Sequence, residues 1–148
     1  MFQKILVAHD GTGPGDIALH RGAELARLCK AELHVLGVVA TAGGMLLDPA
    51  VVSDELLETE RTYLRDALDA SVHELRGKGV KAMACIRDGA PAYEIVDYAH
   101  EIKADLVVVG HSAKGLLACW FEGSVGSSLL AQMPCNVLVV TDGVHSSP

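Results

Sequence analysis

The sequence has few aromatic side chains and too little positive charge to balance its acidic residues. Aromatic residues make up 4% of its 148 residues, and 12 lysines and arginines stand against 19 aspartates and glutamates, so the formal net charge is −7. An acidic protein without a basic stripe repels nucleic acid and anionic lipid, and we therefore expect neither nucleic acid nor membrane as a partner. An anionic ligand would have to be held locally, by backbone N–H groups and helix ends.

Long apolar runs and paired cysteines are also missing. No apolar run approaches the roughly 20 residues of a membrane span, and the first residues lack the pattern of a signal peptide. The four cysteines, Cys29, Cys85, Cys119 and Cys135, form no Cys-x-x-Cys pair. Their spacing predicts no metal site and no disulfide framework. We expect small buried thiols in a cytoplasmic protein.

Hydrophobic residues, by contrast, make up half of the chain. A chain of this length and composition can bury one core without disulfides or metal. We expect a single domain over residues 1–143 and a flexible tail over residues 144–148.

Short apolar runs alternate with segments of helical periodicity, which is the pattern of βαβ units in a parallel sheet. The predicted strands cover residues 5–8, 33–39, 80–86, 106–109 and 137–140. Four helices are predicted: one after a turn-rich loop at 11–15, one from near Ser53, one from Ala90-Pro91 and one over 124–132. Residues 40–53 are predicted as a loop or lid. The sequence therefore predicts an α/β fold, a doubly wound parallel sheet of five strands with helices on both faces.

Ligands of such a sheet bind beyond the carboxyl ends of the strands, where the strand order reverses. The loops after the first, second and fourth strands are the candidates, and residues 110–125 are the most informative of them. This stretch leaves a strand through Gly110 and enters a predicted helix through Gly123-Ser124. A helix N-terminus preceded by glycines is suited to hold a phosphate. A strand–turn–helix junction without a ligand is the alternative, and the glycines alone do not exclude it.

The same stretch resembles the nucleotide-binding motif of the universal stress protein family. That motif is a glycine, two residues, a glycine, nine residues, and a glycine followed by serine or threonine. Gly110, Ala113, Gly123 and Ser124 stand in these positions with the spacing intact, and Ala113 is the one departure. Four further segments are similar to the family, so that the resemblance covers nearly the whole chain: residues 5–12, 88–92, 104–110 and 134–140.

The resemblance implies a strand order of 3-2-1-4-5, with ATP and Mg²⁺ bound across the first and fourth strands. It implies a stress-response regulator with little or no ATP hydrolysis, and a homodimer paired through the fifth strand, which would cover an open sheet edge. Asp10 would lie near the adenosine, the Val38 backbone would bond to the adenine, and the loop after the fourth strand would surround the phosphates. The implied ligand-binding residues are Ala8, His9, Asp10, Val38, Val109, Gly110, Ala113, Lys114, Gly123, Ser124 and Val125.

Two adjacent residues determine whether this site can be filled. The methyl group of Ala113 is harmless if φ is negative there, and costly if φ is positive or if a phosphate must pass within contact distance. Lys114 either pairs with a phosphate or is a solvated loop lysine. Two hypotheses therefore stay open: a nucleotide-binding regulator, and a family member that acts through protein contacts alone.

The sequence favours binding over catalysis. It contains no nucleophile–base pair, no carboxylate dyad and no Gly-x-x-x-x-Gly-Lys-[Ser/Thr] phosphate loop. A phospho-accepting receiver domain would need a lysine after the fifth strand, where Thr141-Asp142 stands instead. His9 and His111 follow the first and fourth strands and offer a metal-binding or pH-sensing pair, although loop histidines more often only form hydrogen bonds.

Overall fold

The computed structural model describes residues 1–9, 13–40, 54–110 and 132–141. Strands and helices alternate through these ranges. The elements are β1 (Lys4–His9), α1 (Gly13–Cys29), β2 (Glu32–Ala40), α2 (Asp54–Gly77), β3 (Lys81–Gly89), α3 (Pro91–Ile102), β4 (Leu106–Gly110) and β5 (Asn136–Val140). The first residue of the predicted loop over 40–53, Ala40, is the last residue of β2, and the rest of that loop lies outside the described residues. The predicted tail and all but the last residue of the predicted helix over 124–132 also lie outside them. Within the described ranges, no helix is long and apolar enough to cross a membrane.

The five strands form one parallel sheet in the order β3-β2-β1-β4-β5, which confirms the order implied by the family resemblance. β1 is the central strand, and its Val7 is paired with Val35 of β2 and with Val108 of β4. The chain runs outward from β1 through β2 to β3, and then returns to place β4 on the other side of β1. The reversal therefore lies between β1 and β4.

Helices cover both faces of the sheet, as predicted. Side chains alternate between the two faces along each strand. Ile5 and Val7 of β1 belong to the core that α1 and α2 cover, whereas Leu6 and Ala8 belong to the core beneath α3. β4 follows the same rule, so its continuous apolar run is buried on both faces.

Two glycines allow α1 and α2 to pack closely on the central strands. A Cβ atom at Gly22 of α1 would lie 2.5 Å from Cγ2 of Val7. A Cβ atom at Gly37 of β2 would lie 2.8 Å from a methyl carbon of Leu64 and from one of Leu68. α1 therefore approaches the sheet closely at its own Gly22, and α2 approaches it closely over Gly37 of β2.

Asp105 joins β1 to β4 at the amino ends of the two strands. Its carboxylate accepts hydrogen bonds from the backbone N–H groups of Gln3 at 2.8 Å and Lys4 at 3.2 Å. The backbone N–H of Asp105 donates in turn to the Lys4 carbonyl at 3.0 Å. One residue thus fixes the register that brings the opposite ends of β1 and β4 together at the switch point.

The third strand is longer than predicted. The apolar pattern ends at Ile86, but β3 continues to Gly89 because Arg87, Asp88 and Gly89 still pair with residues of β2. Polar side chains are tolerated here because β3 is an edge strand and each has a partner: Arg87 binds Glu101 of α3, and Asp88 binds Arg61 of α2.

Candidate functional site

Three strands reach the same edge of the sheet at the predicted ligand site. Ala8 and His9 end β1, and Val109 and Gly110 end β4. His9 is paired with Gly37 of β2, so Val38 lies one residue beyond it. The structure therefore brings together all the predicted site residues that it describes: Ala8, His9, Val38, Val109 and Gly110.

The other predicted site residues lie outside the described ranges, and their roles stay predictions. They are Asp10, Ala113, Lys114, Gly123, Ser124 and Val125. His111, the second member of the predicted histidine pair, also lies outside these ranges.

Small apolar side chains line the α3 side of this edge. Ala8 is 2% exposed and Val109 is 1% exposed, and both belong to the core beneath α3, with Val38 packed against it. Ligand sites of this kind combine apolar walls with a few polar groups, often backbone N–H and C=O. The described part of the site therefore consists of strand-end backbone that rests on a buried apolar core.

His9 differs from the prediction in its position. The sequence predicts a histidine in the loop after the first strand, but His9 is the last residue of β1 and is buried, with 4% of its side chain exposed. Its ring lies on the α1 side, where Nε2 is 2.8 Å from Oδ1 of Asp16. Among the described residues, no group of three or more His, Cys, Asp or Glu side chains could hold a metal ion. The described contact of His9 is thus a hydrogen bond to α1.

Asp16 is a residue that the sequence analysis missed. It lies seven positions after His9, in the first turn of α1, and its carboxylate is 73% exposed. Sequence periodicity does not predict a contact between the end of a strand and the first turn of the next helix. The sequence shows only that Asp16 is an acidic residue early in a predicted helix, a position that the helix dipole favours.

A cluster of polar side chains also lies on the α3 face of the sheet, but it lies midway along the strands rather than at their carboxyl ends. His34 of β2 has Nδ1 3.5 Å from Oη of Tyr98 in α3, and the Arg87 guanidinium lies 4.7 Å from the centre of the tyrosine ring. Burial, followed by the neighbouring Cys85, raises the pKa of Tyr98 to about 12, so its hydroxyl stays protonated. His34 is at the level of Leu6, three residues before the end of β1. This group therefore joins α3 to the sheet and is separate from the strand ends.

A family model and individual relatives point to the same protein family. The family model described as "Universal stress protein family" matches residues 1–141. A Bacillus subtilis relative, "Universal stress protein YxiE", is 32% identical over 147 residues, which cover 95% of this chain and 99% of the relative. "Universal stress protein MJ0531" of Methanocaldococcus jannaschii is also 32% identical, over 95% of this chain and 82% of its own length.

Solved structures agree with the fold. The universal stress protein UspA from Lactobacillus plantarum superposes with a TM-score of 0.73 at 27% identity, over 93% of this chain and 97% of that one. A universal stress protein in complex with cAMP has a TM-score of 0.69 at 23% identity, over 94% of this chain and 97% of that one. The universal stress protein from Archaeoglobus fulgidus in complex with dAMP has a TM-score of 0.61 at 23% identity, over 93% of this chain and 96% of that one.

Proposed function

This chain belongs to the universal stress protein family, and from that premise we propose that it binds ATP with Mg²⁺ as a stress-response regulator, with little or no hydrolysis. The observation that carries the proposal is the reversal of strand order between β1 and β4. In open α/β sheets, ligands bind at such a point, beyond the carboxyl ends of the strands. The cAMP and dAMP complexes of two proteins with the same fold support the class of ligand.

The proposed arrangement places the adenosine beside β1 and β2 and the phosphates beyond β4. Asp10 and the Val38 backbone would hold the adenosine, while Gly110, Gly123 and Ser124 would surround the phosphates. A chain with a net charge of −7 repels free ATP, and Mg²⁺ offsets this repulsion by neutralising part of the phosphate charge.

Nucleotide content and affinity test this proposal directly. Mass spectrometry of small molecules released from the freshly purified chain is expected to find an adenine nucleotide. Calorimetric titration with ATP and Mg²⁺ is expected to show binding, at least as tight in Ala113→Gly, because glycine removes the one methyl that departs from the motif. Ala70→Gly, at an exposed position of α2, is the matched control: it weakens the helix by about 1 kcal/mol but leaves the ATP affinity unchanged.

One observation favours a second function, in which the protein acts through contacts with other proteins and binds no nucleotide. That observation is Ala113 at the second motif position. A purified chain that carries no nucleotide, and that ignores millimolar ATP with Mg²⁺ both as it stands and as Ala113→Gly, contradicts the first proposal and supports the second.

We also propose that two copies form a homodimer through β5. β5 ends the sheet order, and within the described residues it is paired on one side only, with β4. Leu138 and Val139 on this strand are each 37% exposed, and Leu28 of the adjacent α1 is 78% exposed. Pairing of two such edges would satisfy the outer backbone groups and cover these apolar side chains.

A cytoplasmic location is the last part of the proposal. Cys29, Cys85 and Cys135 are free thiols, which suits a reducing compartment. Cell fractionation tests the location: recovery of the chain mainly with membranes or outside the cell would contradict it.

A further inference from the structure

The end of β1 is joined to α1 by a pair of side chains that differ greatly in exposure. His9 is 4% exposed and Asp16 is 73% exposed, with 2.8 Å between Nε2 and Oδ1. An ionised carboxylate can only accept a hydrogen bond, so Nε2 carries the proton and donates it to Asp16. The bond connects the last residue of β1 with the first turn of α1, across the connection formed by residues 10–12.

The backbone of His9 belongs to the described part of the ligand site, but its ring faces α1, whereas the side chain of its neighbour Ala8 faces α3. Its partner in β2 is Gly37, where the side chains of Leu64 and Leu68 occupy the space that a Cβ would need. Since its surroundings are closely packed, a His9 ring held by Asp16 also holds the backbone on which Ala8 stands.

The sequence between the two partners makes such a bond useful. Gly13 and Gly15 lie in the first turn of α1, beside Asp16. Glycine weakens a helix because it loses more conformational freedom on folding than any other residue. A hydrogen bond from His9 to Asp16 therefore stabilises a helix start that is weak by its own sequence, and holds it against the end of β1 before a ligand arrives.

We propose that His9 is a positioning residue for the nucleotide, which acts by donating a hydrogen bond to Asp16 and thereby holds the end of β1 against the first turn of α1. The inference rests on the proposed function. It requires that the two residues be coupled in the affinity for ATP, and a bond that only stabilises the fold would not produce this coupling.

A double-mutant cycle measures that coupling. The cycle consists of the unsubstituted chain, His9→Leu, Asp16→Ala and the double variant, each titrated with ATP and Mg²⁺ and each unfolded with urea. Asp16→Ala is expected to weaken ATP binding about fivefold, as the loss of a hydrogen bond to a charged, exposed partner would, and to have no effect when His9 is already leucine. Asp16 is mostly exposed, so its variants should fold even if His9→Leu does not.

Conservative variants and a matched control complete the test. His9→Gln keeps a donor and Asp16→Asn keeps an acceptor, so each is expected to retain most of the affinity. Glu24→Ala removes another exposed carboxylate of α1, which pairs with Arg21 at 3.4 Å, and should leave the affinity unchanged.

The outcomes distinguish this inference from the proposed function. If Asp16→Ala lowers the free energy of unfolding but not the ATP affinity, the bond is only structural and the inference is wrong, while the proposed function stands. If the unsubstituted chain does not bind ATP, the proposed function and this inference are both contradicted.

Discussion

His34 is the described residue whose burial has the clearest consequence for stability. It is 8% exposed, and within residues 1–9, 13–40, 54–110 and 132–141 its Nε2 has no hydrogen-bond partner. Oε1 of Glu32 lies 3.5 Å away, which is near enough for an ion pair but without the geometry of a hydrogen bond. Burial lowers the pKa of His34 below its ordinary value of 6.5, while Glu32 opposes the shift and Lys4 adds to it. Protonation of His34 is therefore less favourable in the folded state than in the unfolded chain.

We expect the free energy of unfolding to fall as the pH drops through 6.5, because the unfolded chain binds a proton at His34 more readily there than the folded chain does. The slope from this one group cannot exceed about 1.4 kcal/mol per pH unit. His34→Phe removes the titration and keeps a ring edge-on to Tyr98, whose centre is 6.2 Å away. Urea unfolding at pH 8 and pH 5.5 should show a smaller loss for His34→Phe than for the unsubstituted chain.

Tyr98→Phe serves as the control for that experiment. It removes the hydroxyl next to His34 but leaves the histidine buried, so the loss of stability at pH 5.5 should persist. If His34→Phe loses as much stability on acidification as the unsubstituted chain does, another group is responsible.

Single residues also show where sequence reasoning about the site reaches its limit. Ala8, Val109 and Gly110 could be placed at the site because a strand end is visible as the end of an apolar run. The His9–Asp16 bond could not, because it depends on how α1 lies on β1. That packing is set in part by Gly22, whose missing side chain carries no apolar signal.

Among the elements, the packing of α2 on β2 depends on Gly37 in the same way. We expect Gly37→Ala to destabilise the protein by about 1–3 kcal/mol, because the new methyl would overlap with Leu64 and Leu68. Both leucines are buried, at 7% and 0% exposure, and have little room to move. Chemical denaturation measures the difference.

Gly77→Ala is the matched control for this substitution. Gly77 is the last residue of α2, and nothing lies within 4 Å of the position that its Cβ would take. Its replacement should leave the stability unchanged or raise it slightly, because alanine restricts the unfolded chain. Equal destabilisation by both variants would show that loss of glycine, rather than overlap with α2, is the cause.

The elements themselves were predicted well where burial sets their pattern. The run at 106–109 predicted a strand covered on both faces, and β4 is one. The end of β3 was not predicted because, at an edge, backbone pairing with β2 is enough to extend a strand through Arg87 and Asp88. Apolar periodicity reports burial, and it does not report backbone pairing at an edge strand.

For the whole molecule, the proposed dimer gives a direct prediction. Light scattering after gel filtration should give the mass of two chains of 15.6 kDa each. Leu138→Lys puts a charge on the exposed edge strand and should shift the protein to one chain, because edge lysines oppose pairing between strands.

Leu56→Lys is the control, since Leu56 is also 37% exposed but lies on α2. It should remain a dimer. A monomeric unsubstituted chain would contradict the proposed homodimer, and dissociation by both lysines would show that β5 is not the specific interface.

The class of fold followed from the sequence, but the strand order did not follow from periodicity. Alternating strands and helices predict a parallel sheet, while the position of each strand in it came from the resemblance to a known family. The physical reason is that the order depends on long-range pairs such as Ile5 with Leu106, which local patterns do not encode.

The central position of β1 also bears on how the chain folds while it is being synthesised. β2 follows β1 closely, but β4 leaves the ribosome about 100 residues after β1, which at about 5–20 residues per second is several seconds or more. During that interval, the side of β1 that will receive β4 has no native partner, and we expect the nascent chain to be protected there by a chaperone or by transient contacts. Ribosome-bound chains stopped before and after β4 should differ sharply in their resistance to protease, and equal resistance would contradict this expectation.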